Sequence, residues 1–418
     1  YVDEIQAFIQ TRTRVKHPND ANGNPVEDTF EYSDYNQFDL TTAPFVYFNY
    51  ADKCYFVNKD NGGFVFEGNY TNDNKPIVYH LPTIPKGSCA LVKNQRAFIT
   101  GDPEHPNFVY FSVIGEMENF DISVELNGDV TTTTGAGGII QTNDNDAKIT
   151  GIAEFNGKII IFKPNYVYSV TGIDSEDDRL EPLNIASGCI DGRTIAKSDN
   201  QLFYLAADGV RAIRNDDNTV VQSIPISDKI TRSLKDEIIG SANRRAGSDG
   251  SQYYLSGDSF TYVFDELLGS WTKFDIAYID TMYDVMRDEL VFGFKDGYMR
   301  KLNPDLLNDD GNKPIVSYYS TAVLSLGEPE ITKRFRALKV FYKPNSVKNS
   351  MIDVKVEVDY KDSLKQLPAE YLPLTWDENN WDEANWDTDK EEVTKSVRFS
   401  GTGNTIRITF GNNKVNET

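Results

Sequence analysis

The sequence predicts an all-β protein, a β-propeller of about six blades with an additional β-sandwich-like domain. Three observations predict it. Helical periodicity is nearly absent, and the one modest candidate is Ile226–Ile238, ISDKITRSLKDEI. Short runs of aromatic and β-branched residues, broken by Gly, Asn and Asp, recur along most of the chain. Near residue 305 these give way to longer, alternating runs.

Residues 1–44 are expected to form an N-terminal β segment associated with the propeller. The chain opens mid-pattern at Tyr1 without an initiator Met, so this segment is expected to be truncated or processed. The propeller is expected over residues 45–305. A polar turn followed by a hydrophobic strand recurs at Ala51–Val57, Lys93–Thr100, Asn156–Phe162, Asp199–Leu205, Asp249–Leu255 and Arg287–Gly293. A further strand follows at Phe108–Ser112, Val167–Thr171, Val210–Arg214, Tyr262–Asp265 and Tyr298–Leu302. Starts lie roughly 40 to 60 residues apart, near the period of four-stranded propeller blades. A sandwich or jelly roll predicts no such recurrence.

LNPDLLNDDGNKP, Leu302 to Pro314, reads as a linker. Residues 313–418 read as the sandwich-like domain. There Asp353, Lys355, Glu357 and Asp359 alternate with Ile352, Val354, Val356 and Val358, as in a sheet with one wet face.

The 418 residues carry 64 acidic and 42 basic side chains, a net charge of −22. Affinity for nucleic acid comes largely from neutralising phosphates, so this balance argues against a free DNA binder. No stretch approaches the roughly 20 apolar residues of a membrane helix, and no membrane insertion is expected. Cys54, Cys89 and Cys189 lack metal-type spacing and are expected as buried free thiols, which fits folding in a reducing compartment.

Chemical motifs are sparse. His17, His80 and His105 form no paired metal spacing, and His105 in GDPEHPN reads as a Pro-bounded turn. TTTTGAGGII, Thr131–Ile140, has no following Lys-Ser/Thr and is expected to be a flexible connection between blades. Ser248-Asp249-Gly250 resembles the aspartate box of sialidases only superficially. Acidic loops at Asp20–Asn24 and Asn308–Asn312 do not complete a twelve-residue calcium loop and read as solvated turns. The expectation is no catalytic residue, no metal, no cofactor and no enzymatic activity.

One run stands apart. WDENNWDEANWD, Trp376 to Asp387, holds three of the four tryptophans, every five residues, each followed by Asp. Residues 376–392 contain eight acids and one Lys. Five matches neither helix nor strand period. The run is expected to be an irregular ordered loop, with Trp376, Trp381 and Trp386 as anchors into its own domain or into a neighbouring subunit.

Several stretches taken together resemble a family: PNFVYFSVIGEMENFD (Pro106–Asp121), DNDAKITGIAEFNGKIIIFKPNYVYSVTG (Asp144–Gly172), GCIDGRTIAKSDNQLFYLAADGVRAI (Gly188–Ile213), GSWTKFD (Gly269–Asp275) and RFRALKVFYK (Arg334–Lys343). Through their order and texture they are similar to the tail-hub or nozzle proteins of short-tailed bacteriophages, also called tail tubular protein B or virion stabilisation proteins. The resemblance covers residues 90–345 and includes no catalytic motif. It implies a virion structural protein, six copies of which assemble below portal and adaptor in the host cytoplasm. Together with other tail proteins they surround a channel that DNA crosses without specific binding. The competing expectations are a receptor- or glycan-binding propeller, as a tail adhesin or secreted lectin, and a polysaccharide-degrading tail enzyme.

Overall fold

The computed structural model describes residues 8–15, 29–32, 43–70, 72, 76–120, 137–142, 147–171, 179–183, 185, 187–216, 220–284, 287–302, 308–309, 313–342, 351–368 and 393–412. The chain divides into two units, Tyr1–Leu302 and Asn303–Thr418.

The first unit is a six-bladed β-propeller. Blade 1 begins with two added strands, β1 (Phe8–Val15) and β2 (Thr29–Tyr32). They extend the meander β3 (Val46–Tyr50), β4 (Lys53–Asn58), β5 (Gly62–Tyr70) and β6 (Pro76–Leu81), with β1 parallel to β6. Blade 2 is β7 (Cys89–Lys93), β8 (Arg96–Thr100), β9 (Phe108–Phe111) and β10 (Gly138–Gln141). Blade 3 is β11 (Gly151–Phe155), β12 (Lys158–Phe162), β13 (Val167–Thr171) and β14 (Arg179–Leu183). Blade 4 is β15 (Ala196–Lys197), β16 (Gln201–Ala206), β17 (Gly209–Asp216) and β18 (Val220–Pro225). A short helix α1 (Thr231–Leu234), continued by a wider turn at Lys235–Ile239, leads to blade 5. Blade 5 is β19 (Arg245–Ser248), β20 (Gln252–Ser256), β21 (Thr261–Asp265) and β22 (Ser270–Phe274). Blade 6 has three described strands, β23 (Asp280–Asp284), β24 (Glu289–Gly293) and β25 (Met299–Lys301).

In every blade the first strand of the meander, β3, β7, β11, β15, β19 or β23, faces the ring axis. Each then turns outward through a tight hairpin. In blades 1, 2 and 3 the turn is a residue pair with positive φ, Ala51-Asp52, Asn94-Gln95 and Asn156-Gly157. That backbone matches the twist of the flanking strands.

The second strands carry the core. β8 and β16 are buried along their whole length, because each lies between two neighbouring blades. Five apolar clusters join consecutive blades. Val57 and Val65 meet Ala97 and Ile99 between blades 1 and 2. Phe98 and Val109 meet Ile152 and Ile161 between blades 2 and 3. Phe162 meets Tyr204 between blades 3 and 4, Phe203 meets Tyr253 between blades 4 and 5, and Tyr254 meets Phe292 between blades 5 and 6. The ring closes where Tyr47 Oη in β3 donates to the Thr281 carbonyl in β23 at 3.3 Å. No buried apolar cluster joins blades 6 and 1 among the described residues.

The expected helix over Ile226–Ile238 is shorter than the periodicity suggests. Ile226 and Ser227 are held against β17 by bonds to Val210, from Ile226 N to the carbonyl and from Val210 N to Ser227 Oγ. Helical turns therefore begin only at Thr231. The expectation of a flexible connection at Thr131–Ile140 is also corrected. Gly138–Ile140 belong to β10, where Ile139 and Ile140 pair with Tyr110 and Val109. Thr131–Ala136 lie outside the described residues.

In the second unit, β26 (Asn308–Asp309) pairs with β27 (Lys313–Pro314) within the stretch expected as a linker. A four-stranded sheet follows, β28 (Ser317–Ser320), β30 (Met351–Val358), β31 (Lys361–Pro368) and β33 (Ile406–Asn412), in the order β28-β33-β30-β31. It packs on the pair β29 (Lys333–Tyr342) and β32 (Val393–Gly403). Val354, Val356 and Val358 bury one face of β30 against Leu338, Val340 and Val397 of the pair, giving a sandwich core.

Candidate functional site

A cavity of about 490 Å³ lies on the propeller axis, and all six axial strands or the turns beside them line it. It falls within the size range of small-molecule sites, roughly 300–1,000 Å³, and is far too small to pass a nucleic-acid duplex. Its polar wall comes from Tyr47, Cys89, Glu154, Arg193, Lys197, Arg245 and Asp280. Its apolar wall includes Val46, Leu91 and Ile152.

The polar wall is anchored by the turn CIDGRT before β15. Asp191 accepts from the Arg193 backbone N–H at 3.1 Å and caps the single 3-10 turn Gly192–Thr194. The same carboxylate takes the Arg193 guanidinium as a fork, Nε at 2.9 Å and Nη2 at 2.8 Å. Arg244 Nε approaches it at 3.2 Å, while Arg244 Nη1 donates to the Ile239 carbonyl at the end of the helical turns. Burial alone would raise the Asp191 pKa. The hydrogen bonds and charge of Arg193, then the charge of Arg244, outweigh it and hold the carboxyl below the usual range.

Neighbouring blades clamp this turn. Thr150 Oγ1 donates to the Cys189 carbonyl at 2.6 Å, and Tyr253 Oη donates to the Thr194 carbonyl at 2.8 Å. A side chain at Gly192 would collide with the Thr150 carbonyl and lie 2.8 Å from Cys89 Sγ. We expect Gly192→Val to displace Arg193 and cost about 2 kcal/mol through overpacking, read as a lower urea midpoint. An unchanged midpoint would mean that the turn is not clamped.

Across the cavity, Arg245 Nε donates to the Ile279 carbonyl at 3.0 Å, and its ion pair with Asp280 is loose, at 3.9 Å. Burial, and next the charge of Arg193, pull the Arg245 pKa down. Burial pushes the Asp280 carboxyl up, against the opposing pull of Arg245. On the blade 3 side, Lys197 Nζ donates to Glu154 Oε2 at 2.6 Å, and Lys93 Nζ donates to the Gly157 carbonyl beside it. Burial pushes the Cys89 thiol up to about 11 and the Tyr47 hydroxyl to about 12. Both are neutral near pH 7, so Cys89 is a poor nucleophile and Tyr47 is a hydrogen-bond donor. The wall can bind and orient a polar molecule.

A second exposed feature lies in the C-terminal unit. Among the described residues, strand β28 is the edge of its sheet and pairs with β33. Tyr318 and Tyr319 are 77% and 67% exposed on its two opposite faces.

The sequence-predicted residues fall elsewhere. Trp376, Trp381, Trp386, His17 and the acidic loop at Asp20–Asn24 lie outside the described residues. His105 stacks on Phe108 and contacts Asp102 at 3.3 Å within its turn. His80 contacts the Asn61 carbonyl at 3.1 Å. Ser248-Asp249-Gly250 is the first hairpin of blade 5, where Asp249 Oδ1 caps the Ser251 and Gln252 N–H groups. Cys54, Cys89 and Cys189 are free thiols, and only Cys189 is fully buried. No group of His, Cys, Asp and Glu side chains among the described residues could hold a metal ion. No helix there is long and apolar enough to cross a membrane.

Comparison with known proteins gives the six-bladed propeller no more specific identity. No family model matches the chain, and no curated protein matches it. Among solved structures it is similar to a luciferin-regenerating enzyme at 9% identity and a TM-score of 0.37, over 59% of this chain and 82% of that one. It is also similar to regucalcin, a calcium-binding protein from Agrobacterium tumefaciens, at 9% identity and a TM-score of 0.36, over 58% and 78% of the two chains.

Proposed function

We propose that this protein is a structural subunit of a bacteriophage tail, a hub or nozzle component of the DNA-ejection channel, and not an enzyme. The strand β28, an open edge among the described residues, carries the reading. A free-standing protein protects a sheet edge with charge, proline or a covering segment, because unpaired edges template association. Here both faces of the edge present tyrosine, with Val316 exposed beside them. Such a surface suits a subunit whose neighbour completes it. The kind of assembly rests on the stretches that resemble tail-hub proteins, which fall on β9, β11 to β13, β15 to β17, β22 and β29.

The neighbour at β28 is another copy of this chain in a ring of six, held by portal, adaptor and other tail proteins in the virion after assembly in the host cytoplasm. DNA runs between the copies, through a lumen lined mainly by acidic and amide side chains. With −22 charges per chain, the wall repels phosphate over about 8 Å at physiological salt, which discourages adhesion without stopping transit.

The test is mass spectrometry of purified particles, with a variant carrying Tyr318→Lys and Tyr319→Lys. The wild-type chain is expected in the particles. The variant is expected to fold, by its circular dichroism, but to be missing from them. Absence of the wild-type chain from particles, or equal incorporation of the folded variant, would sink the reading.

A further inference from the structure

The axial cavity differs in charge from the molecule around it. Over the whole chain acids outnumber bases, for a net −22. The cavity wall carries three cations, Arg193, Lys197 and Arg245, against two carboxylates, Glu154 and Asp280, an excess of one positive charge, and Arg244 and Lys93 stand behind it with Asp191. The pairing is also uneven. Asp191 serves two arginines, and Glu154 is flanked by two lysines. The Arg245–Asp280 pair is loose at 3.9 Å, and Arg193 adds like-charge repulsion to Arg245. A partly buried guanidinium with spare donors and too little negative charge nearby is stabilised by an anion from outside.

Shape narrows the class of anion. The cavity holds about 490 Å³, and its charged rim adjoins Val46, Leu91 and Ile152. Apolar wall beside a cationic rim suits an amphipathic molecule of metabolite size rather than a bare ion or a polymer.

We propose that the axial cavity binds a small organic anion whose carboxylate or phosphate head lies against Arg245 and Arg193 and whose apolar body lies along Leu91 and Ile152. This site is separate from the assembly edge at β28 and stands or falls independently of it. Bound ligand bridges blades 2, 3, 4 and 5 and stabilises the folded ring by mass action.

The experiment is isothermal titration of the full-length protein with benzoate and, separately, inorganic phosphate, alongside thermal denaturation with each. One molecule per chain is expected for benzoate. Phosphate alone binding would assign the head as a phosphate recogniser, and benzoate alone as a carboxylate recogniser. Arg245→Gln is expected to weaken the bound probe by about tenfold or more, the loss of one charge-assisted hydrogen bond. Because that change could unfold the axis, Lys197→Gln, at a half-exposed position, is the second variant, with a weaker effect in the same direction. No saturable binding of either probe to the wild type, or binding untouched by both substitutions in folded protein, would overturn the proposal.

Discussion

Asp191→Asn is expected to destabilise the protein by about 3 kcal/mol, because it leaves two largely buried guanidinium groups without their shared counter-charge. The side chains of Asp191, Arg193 and Arg244 are 10%, 24% and 22% exposed, so water offers only partial compensation. The neutral amide also loses the forked bond from Arg193 and weakens the cap of the turn that begins β15. The pH dependence has a fixed sign. A carboxyl held below its unfolded value contributes stability that is present above about pH 4 and lost as pH falls through its folded pKa. Urea unfolding at neutral pH should show the full difference between wild type and Asp191→Asn, and below about pH 4 the gap should shrink. A constant gap across that range would show that the charge on Asp191 is not what holds the arginines.

Phe162→Ala is expected to cost about 4 kcal/mol. Phe162 is fully buried in β12, and its ring lies 5.0 Å from that of Tyr204 in the cluster joining blades 3 and 4. Removing it opens a cavity on both sides of an inter-blade contact, and strands fixed by their ladders can collapse into it only in part. The check is the urea midpoint at unchanged slope. A loss below about 1 kcal/mol would show that blades 3 and 4 do not pack through this ring.

The propeller was legible in the sequence for a specific reason. The six recurring turn-and-strand units fall on the first hairpin and second strand of every blade, β4, β8, β12, β16, β20 and β24. Those strands are packed between neighbouring blades, so they read as continuous apolar runs such as KIIIF and QLFYLA. Three of the axial strands were not legible. β15 is two residues long, β19 reads RAGS and β23 reads DTMYD. They are short, and one side faces a wet cavity, so their composition resembles that of a loop. Arg193, Arg245 and Asp280 sit in or beside those segments, and nothing in the composition marks them as a group. The signal available was local: a DGR turn, and an Arg pair at Arg244-Arg245 at the start of a strand. Nothing in residue spacing says that blades 4, 5 and 6 bring them together, because ring closure alone does so. The exposed edge at β28 was equally hidden, since SYYS has the composition of a buried strand.

The seam between blades 6 and 1 gives the ring a clasp. Among the described residues, blades elsewhere are joined by buried apolar side chains, whereas the seam is closed by an exposed hydrogen bond from Tyr47. Such a bond contributes about 1 kcal/mol, less than the burial of a single core aromatic. Under radial strain the molecule would therefore behave as a split washer. It would yield at one place and close again there, while the five other joints keep their register and carry the load around the circumference.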